Sequence, residues 1–515
     1  MRLDWKRDHT LVGLIAALIG MNAFLYFLSR GQTYVHIDAI AHVNKARGLL
    51  DNFELGLRNL GTVWLPLPHL LMAPLAAFDA LWVSGAAGSL VSVACFVGTS
   101  VFLFLTGHAW TGSRIAGWLA FLFFALNPRL IYLFTTPENE PLMIFCAAGL
   151  SYYLIRWAQQ ERWRDLALAA LFAFGGTWTR YEGWALAAAA CVVVSIVTTK
   201  RRIESTILFM GGAVLGPMLW MLFNMFYFDD PLMFAYGIGS AQANATGKSF
   251  GTTGELIESF GRYFIDVAYN LNPGVLWLAA GGFAFALFFL SKRNWRPTFV
   301  LIAAGAAMLG FYVLNLYEGH ISILLPGIVK DDPQSTYNVR YGANMAATIP
   351  LFASLFVFIV WHQAERWRSM AFLMLAPLLL PDPIPAASHE SIRQQFTRNL
   401  LYREAIHNQS FWMPPFVQVA QKLDDSGLIM TNTRIVHVVV WATGIPMRRF
   451  VTEMNEDVWG LSLRTPDPRI RWVITEEGDQ VWNALGKWLE QNWIEVAGVQ
   501  GHSTGKVHLY RRPGE

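Results

Sequence analysis

The feature that most restricts this chain is the recurrence of apolar runs long enough to cross a bilayer. A membrane-length window finds them at residues 11–29, 84–107, 114–134, 141–157, 166–179, 183–199, 205–228, 273–291, 298–317, 345–361 and 369–381, about eleven crossings by the usual length rule. In hydrocarbon the backbone must satisfy its own hydrogen bonds, so runs of this kind dictate helices. Composition agrees. Of 515 residues, 54% are hydrophobic and only 15% charged, and mean hydropathy is +0.36, more apolar surface than a soluble core of this size would use. The expected fold is a polytopic α-helical membrane protein.

Lysine and arginine orient the spans. Arg2/Lys6/Arg7, Arg114, Arg156/Arg162/Arg164, Lys200/Arg201/Arg202, Lys292/Arg293/Arg296 and Arg366/Arg368 fall on every second loop, as positive-inside topology requires. The chain is expected in the plasma (inner) membrane, with the intervening loops extracytoplasmic. No small-residue cleavage site follows the first run, so it is expected as a retained helix. Spans 166–179 and 369–381 are short enough for re-entrant pieces. Basic clusters flank the stretch from Arg164 to Lys200, which must then cross an even number of times and form a hairpin turning at Thr179-Arg180-Tyr181-Glu182-Gly183. A further apolar run, residues 61–78, carries Pro66 and Pro68. Counting it as a crossing would place Arg114 and the Arg156–Arg164 loop outside, so it is expected as an interfacial or re-entrant helix within one long external loop, residues 30–83.

Past Leu380 the composition changes. Pro381-Asp382-Pro383-Ile384-Pro385 reads as a rigid linker, and charged residues rise from roughly an eighth of the chain to roughly a fifth. Residues 1–381 are expected as the membrane domain and residues 382–515 as a soluble, extracytoplasmic α/β domain. Within it, residues 428–440 and 470–475 read as strands, 480–492 as an amphipathic helix and 494–510 as a hairpin. The three cysteines lie in apolar runs without paired or metal-ligand spacing. A net charge of +3 spread over many loops gives no basic stripe, and no nucleic-acid partner is expected.

Candidate chemistry gathers in the external loops. If residues 38–50 are helical, Asp38, His42 and Lys45 share one face, preceded by His36. The plainer reading makes Asp38 the N-cap, with His42 and Lys45 on a solvated face. Glu138 and Glu140, in Thr135-Thr136-Pro137-Glu138-Asn139-Glu140, suit a cation or a substrate hydroxyl, or simply begin the fourth span. Arg180 and Glu182 sit in the hairpin turn, where an interfacial salt bridge is the plain alternative. The loop from Tyr317 to Asn344 carries Lys330, Tyr337, Asn338 and Arg340; the two cations suit a phosphate, or neutralise Asp331 and Asp332. Residues 229–272 read as a flexible lid, or as a turn with a disordered loop. The acids and arginines are expected on one side of the membrane near the interface, whereas ion-coupled transporters keep theirs near the midplane. That placement fits an enzyme acting on a lipid-linked phosphate.

At these residues the chain resembles the GT-C superfamily of polyprenyl-phosphate-sugar-dependent glycosyltransferases, which includes the protein O-mannosyltransferases, the lipid A aminoarabinose transferases and the oligosaccharyltransferase catalytic subunits. The resemblance spans residues 1–380 as architecture. His36-Ile37-Asp38 stands where the superfamily carries its first-loop catalytic acid, and Glu138-Asn139-Glu140 where it carries a second acidic motif. Residues 61–69, 179–184 and 337–342 are similar to stretches in bacterial and archaeal members. Two departures stand out: no second acid lies two residues from Asp38, and no Trp-Trp-Asp-Tyr-Gly sequence occurs, which disfavours oligosaccharide transfer to asparagine.

The resemblance implies sugar transfer from a polyprenyl-phosphate donor to a hydroxyl on a glycan, lipid or protein acceptor, with inversion and with Asp38 as general base. Arg340, with Lys330 or Arg180, would hold the lipid phosphate. His36, His42, Glu182, Tyr337 and Asn338 would complete the substrate-binding set, and Glu138 and Glu140 would position the acceptor. A divalent cation, held by Asp38, Glu138 and Glu140, is left open. The alternative function is a non-catalytic transporter or flippase of a lipid-linked sugar.

Overall fold

The structure is a computed structural model. It describes residues 5–34, 36–237, 239–245, 250–290, 294–325, 338–363, 370, 373–374, 413–424, 426–501 and 505–514. They form two compact units. The first comprises Met1–Phe27, Thr62–Pro68 and Ser89–Leu401, and the second Leu28–Gly61, His69–Gly88 and Tyr402–Glu515.

The first unit is helical, and its apolar helices make the chain an integral membrane protein. Asp8–Leu28, Ala86–Thr111, Glu140–Gln160, Arg202–Phe228 and Trp295–Tyr317 are long and apolar enough to span a membrane. Two bent pairs, Leu256–Leu271 with Pro273–Phe288 and Tyr341–Ala347 with Ile349–His362, bring the count to seven if each is one span. Eleven is therefore not reached by length and composition among the described residues, and local breaks explain much of the difference. The run at 114–134 divides into Arg114–Ala125 and Pro128–Leu133, because the Asn127 side chain accepts hydrogen bonds from the N–H groups of Arg129 and Leu130 and starts a new helix. The expected hairpin forms from Trp163–Thr177 and Glu182–Val197, each only 15 or 16 residues. A Cβ at Gly183 would run into the Gly176 carbonyl oxygen, so glycine there permits the close turn. The span at 369–381 and the linker at 381–385 fall outside the described residues, save Met370, Leu373 and Met374.

One expectation is corrected. The described part of residues 229–272 is not a disordered loop over most of its length: it contains the helices Met233–Tyr236, Ala241–Ala245 and Leu256–Leu271. The last is amphipathic in the membrane sense. Ile257 is 89% exposed, with Phe260 and Phe264 also outward, while Arg262, Tyr263, Asp266 and Asn270 are buried. Polar residues at 262, 266 and 270 repeat every fourth position and so share one face.

The second unit contains the first-loop helix Ile37–Gly48 and a five-stranded sheet. Its strands are β1 (Leu428–Met430), β2 (Phe450–Val451), β3 (Ile470–Glu476), β4 (Ile494–Gln500) and β5 (Lys506–Arg511), in the order β2-β1-β3-β5-β4. β1 pairs in parallel with β2 and β3, while β5 is antiparallel to β3 and β4. Met430, Val451, Ile470 and Val473 pack against Val481, Leu485 and Leu489 of the helix Gln480–Asn492. That helix, β3 and the β4–β5 hairpin match the sequence reading; the strand expected at 428–440 does not. It stops at Met430, and Thr433–Thr443 is a helix whose N-cap, Asn432, accepts from the Ile435 N–H. The β-branched run Ile435-Val436-His437-Val438-Val439-Val440 fits either state by composition. Capping and all-round burial decide for helix.

Candidate active site

Five charged side chains converge in the first unit. The tight segment after Pro128–Leu133 places Glu138 and Glu140, 2% and 0% exposed, at the head of Glu140–Gln160. Arg340, 4% exposed, precedes the 3-10 turn Tyr341–Ala347. Its Nε donates to Glu140 Oε1 at 2.9 Å and lies 3.6 Å from Glu138 Oε2. Arg180, in the hairpin turn, reaches the same Glu140 oxygen at 3.0 Å and also pairs with Glu182. Thus Glu140 holds two guanidinium groups on one oxygen.

Aromatic and amide groups enclose this cluster. Tyr312 donates to Glu182 Oε1 at 2.8 Å, and Asn344 donates to the Tyr312 hydroxyl at 2.7 Å. Tyr263 stacks on Tyr312 with ring centroids 4.9 Å apart, and Tyr341 lies beside both Tyr312 and the Arg180 guanidinium. Asp266 accepts from the Gly342 N–H at 2.8 Å, and Asn270 donates to the Val339 carbonyl at 2.6 Å, which fixes the backbone on either side of Arg340. A Cβ at Gly342 would press on the Asp266 backbone, so this approach also needs glycine. Three carboxylates against two arginines leave the five-residue cluster with a formal charge of −1. Burial of so many charges is tolerable only because each has an opposite charge within reach.

The second unit holds the first-loop residues. The N-cap of the first-loop helix is His36, whose Nδ1 accepts from the Asp38 N–H at 3.2 Å. Asp38 therefore lies in the first turn and is not the cap. Nor is the face solvated. His42 is 3% exposed and pairs with the fully buried His69, Nδ1 to Nε2 at 3.1 Å. Lys45 donates to the Leu60 carbonyl at 2.8 Å, and burial holds its ammonium down at about 8, with the Glu453 carboxylate opposing that shift. Arg47 is tied to Asp51, to Asp79 and to the carbonyls of Ala76 and Ala77. The plainer reading of an N-cap aspartate on a solvated face is overturned by His36 and by this burial.

The expected set is thus found in two places: Glu138, Glu140, Arg180, Glu182 and Arg340 in the first unit, and His36, Asp38 and His42 in the second. Asn338 adopts a left-handed conformation, φ 56°, and donates to the Ser322 carbonyl, so its amide serves the loop. Lys330 and Tyr337 lie outside the described residues. Among the described residues no group of three or more His, Cys, Asp or Glu side chains is arranged to hold a metal ion; Glu138 and Glu140 face arginine instead. Sequence reasoning missed Tyr263, Asp266, Asn270, Tyr312 and Asn344. The polar repeat at 262, 266 and 270 could have exposed the second and third of these.

Comparison with known proteins bears out the GT-C resemblance. Residues 73–223 match the family model described as dolichyl-phosphate-mannose-protein mannosyltransferase. No curated protein matches the chain in sequence. The structure of ArnT from Cupriavidus metallidurans bound to undecaprenyl phosphate aligns with TM-score 0.59 and 12% identity, covering 98% of this chain and 97% of that one. Its apo form aligns with TM-score 0.55 and 12% identity, over 96% and 97%. At such identity the likeness establishes the fold, which this chain shares.

Proposed function

We propose that this chain, a membrane protein with the fold of a GT-C glycosyltransferase, moves a sugar from a polyprenyl-phosphate-linked donor to an acceptor hydroxyl. Asp38 acts as general base. As the acceptor oxygen forms its bond to the anomeric carbon, its proton passes to the Asp38 carboxylate. The bond from that carbon to the phosphate oxygen breaks with its electron pair, releasing polyprenyl phosphate and inverting the centre. The observation that carries this reading is that His36 performs the capping, so the Asp38 carboxylate is not consumed by that role.

The donor class is supported by the fold shared with an ArnT structure that contains undecaprenyl phosphate, and by the family match at residues 73–223. The charge on the departing phosphate is met by arginine, the side chain best suited to it. Arg180 keeps 17% of its side chain exposed and Arg340 only 4%, so Arg180 contacts the phosphate, with Arg340 fixed behind Glu140. Glu138 and Glu182 set the orientation of the two guanidinium groups. The reaction takes place on the extracytoplasmic face of the inner membrane, where the soluble α/β domain also lies.

The test is a transfer assay in detergent with purified chain, a polyprenyl-phosphate sugar and an acceptor. Glycosylated acceptor and free polyprenyl phosphate should appear in equal amounts with wild type, and neither with a normally folded Asp38→Asn protein. Full activity of that variant would remove the base. A wild-type protein that moves the lipid-linked sugar across vesicles yet forms no glycosidic bond would be a flippase.

A further inference from the structure

One cleft in the second unit belongs to neither cluster. Asn44 and Lys45 of the first-loop helix, His437 of the helix Thr433–Thr443, Thr452, Met447 and Phe450 contribute to its lining. Phe450 begins β2 and Thr452 directly follows it, so the cleft lies against the length of that short strand. Asn44, Lys45, His437 and Thr452 are polar residues of the lining, and Met447 and Phe450 are apolar ones.

The imidazole of His437 points to a ligand. The residue is 7% exposed, yet its Nδ1 is buried without a hydrogen-bond partner among the described residues. Such an atom loses its hydration without compensation unless an occupant supplies a partner. We propose that this cleft is the acceptor subsite and receives an uncharged, hydroxyl-bearing group, the edge of a sugar or polyol, with His437 Nδ1 and the Lys45 ammonium as its polar contacts.

Charge decides against an anion. The Glu453 carboxylate accepts from the Thr433 N–H at 3.0 and 3.1 Å, already occupying the start of that helix, and it also attracts Lys45. Asp38 adds a second negative charge within electrostatic range of His437. Lys45 is thus compensated, and a phosphate or carboxylate would meet net repulsion. A hydroxyl both donates and accepts, so it can serve a neutral imidazole nitrogen and an ammonium together. The apolar lining residues suit the C–H face of a ring. Calling the occupant the acceptor rests on the glycosyl-transfer reading; the cleft's preference for neutral hydroxylated ligands does not.

The experiment titrates methyl glucoside, methyl mannoside and methyl galactoside, with inorganic phosphate as competitor, against the full-length chain in detergent by ligand-observed NMR. The variants are His437→Phe and, at an apolar lining residue, Met447→Trp. At least one glycoside should bind wild type, weaken tenfold or more in both variants, return to within threefold in His437→Gln, and resist displacement by phosphate. Absence of glycoside binding, unchanged binding in both variants, or displacement by phosphate would overturn the proposal. In the transfer assay the two variants should raise the acceptor KM and leave kcat near wild type; an unchanged KM in both counts against the subsite. A wild-type protein that binds glycosides with this pattern yet transfers no sugar sinks the transfer reading and leaves the cleft standing.

Discussion

Arg340 and Glu140 stand 200 positions apart in the chain and meet at 2.9 Å, 4% and 0% exposed. Two charges so buried are costly to separate, because removing one strands the other in a medium that cannot hydrate it. The pair therefore joins the start of the helix Glu140–Gln160 to the turn before Ile349–Gln363, and does so at the place where Arg180 also binds.

Breaking the pair should destabilise the protein far more than replacing it. Arg340→Ala or Glu140→Ala alone should cost about 3–5 kcal/mol, and the double replacement Arg340→Met with Glu140→Met should recover part of that loss, the remainder staying with Glu138, which loses Arg340, and Arg180, which loses Glu140. Thermal unfolding in detergent separates the cases. A double variant no more stable than either alanine variant would show that packing, not stranded charge, sets the cost.

Donor binding should depend on Arg180 before stability does. Arg180→Gln should weaken binding of the polyprenyl-phosphate donor about tenfold or more, the expected loss of a charge-assisted contact of roughly 1.5–3 kcal/mol. Affinity measured with polyprenyl phosphate alone gives the answer, and an unchanged value would remove Arg180 from the phosphate.

His36 should matter through the helix it caps. His36→Ala removes the acceptor for the Asp38 N–H and should cost about 1 kcal/mol, while His36→Asn, a stronger cap, should hold stability. If Asp38 is the base, transfer should fall with alanine and recover with asparagine; equal losses in both would assign His36 a role beyond capping.

The second unit should lose stability in acid through His437. Burial, then the Lys45 charge, holds its imidazole down to about 3, against the attraction of Asp38. The unfolded chain takes up that proton near pH 6.5 and the folded chain only near 3, so stability is fully present above about 6.5 and is lost as pH falls through this window, by at most about 1.4 kcal/mol per unit. Thermal melts between pH 7 and 4.5 should show a shallower decline for His437→Gln than for wild type. Parallel declines would assign the acid sensitivity elsewhere.

Gly183→Ala should disturb both fold and site. The new methyl would meet the Gly176 carbonyl oxygen across the hairpin turn, and relieving the clash moves Glu182, the neighbour that holds Arg180. A loss of about 1–3 kcal/mol is expected from the overpacking, together with weaker donor binding. Wild-type melting and donor affinity would show that the turn absorbs the change.

The membrane class, most helix positions, the hairpin at residues 163–197 and the helix and hairpin of the C-terminal sheet were legible because each rests on local signals. A run of apolar residues needs no distant partner to demand a helix in lipid, and a period of two or 3.6 repeats within a few turns. Breaks were harder: Asn127 and Asn432 start helices through single side-chain contacts to the backbone, which composition windows average away. Asp38, Glu138, Glu140, Arg180, Glu182 and Arg340 could be singled out as charged residues beside apolar runs, but their environments could not. His36 took the cap in place of Asp38, His42 turned inward to His69, and the amphipathic helix at residues 256–271 brought Tyr263, Asp266 and Asn270 around Arg340. Those outcomes belong to tertiary structure, because a charge buried in an apolar medium is stable only where residues remote in sequence supply its partners, and spacing along the chain carries no record of which ones will.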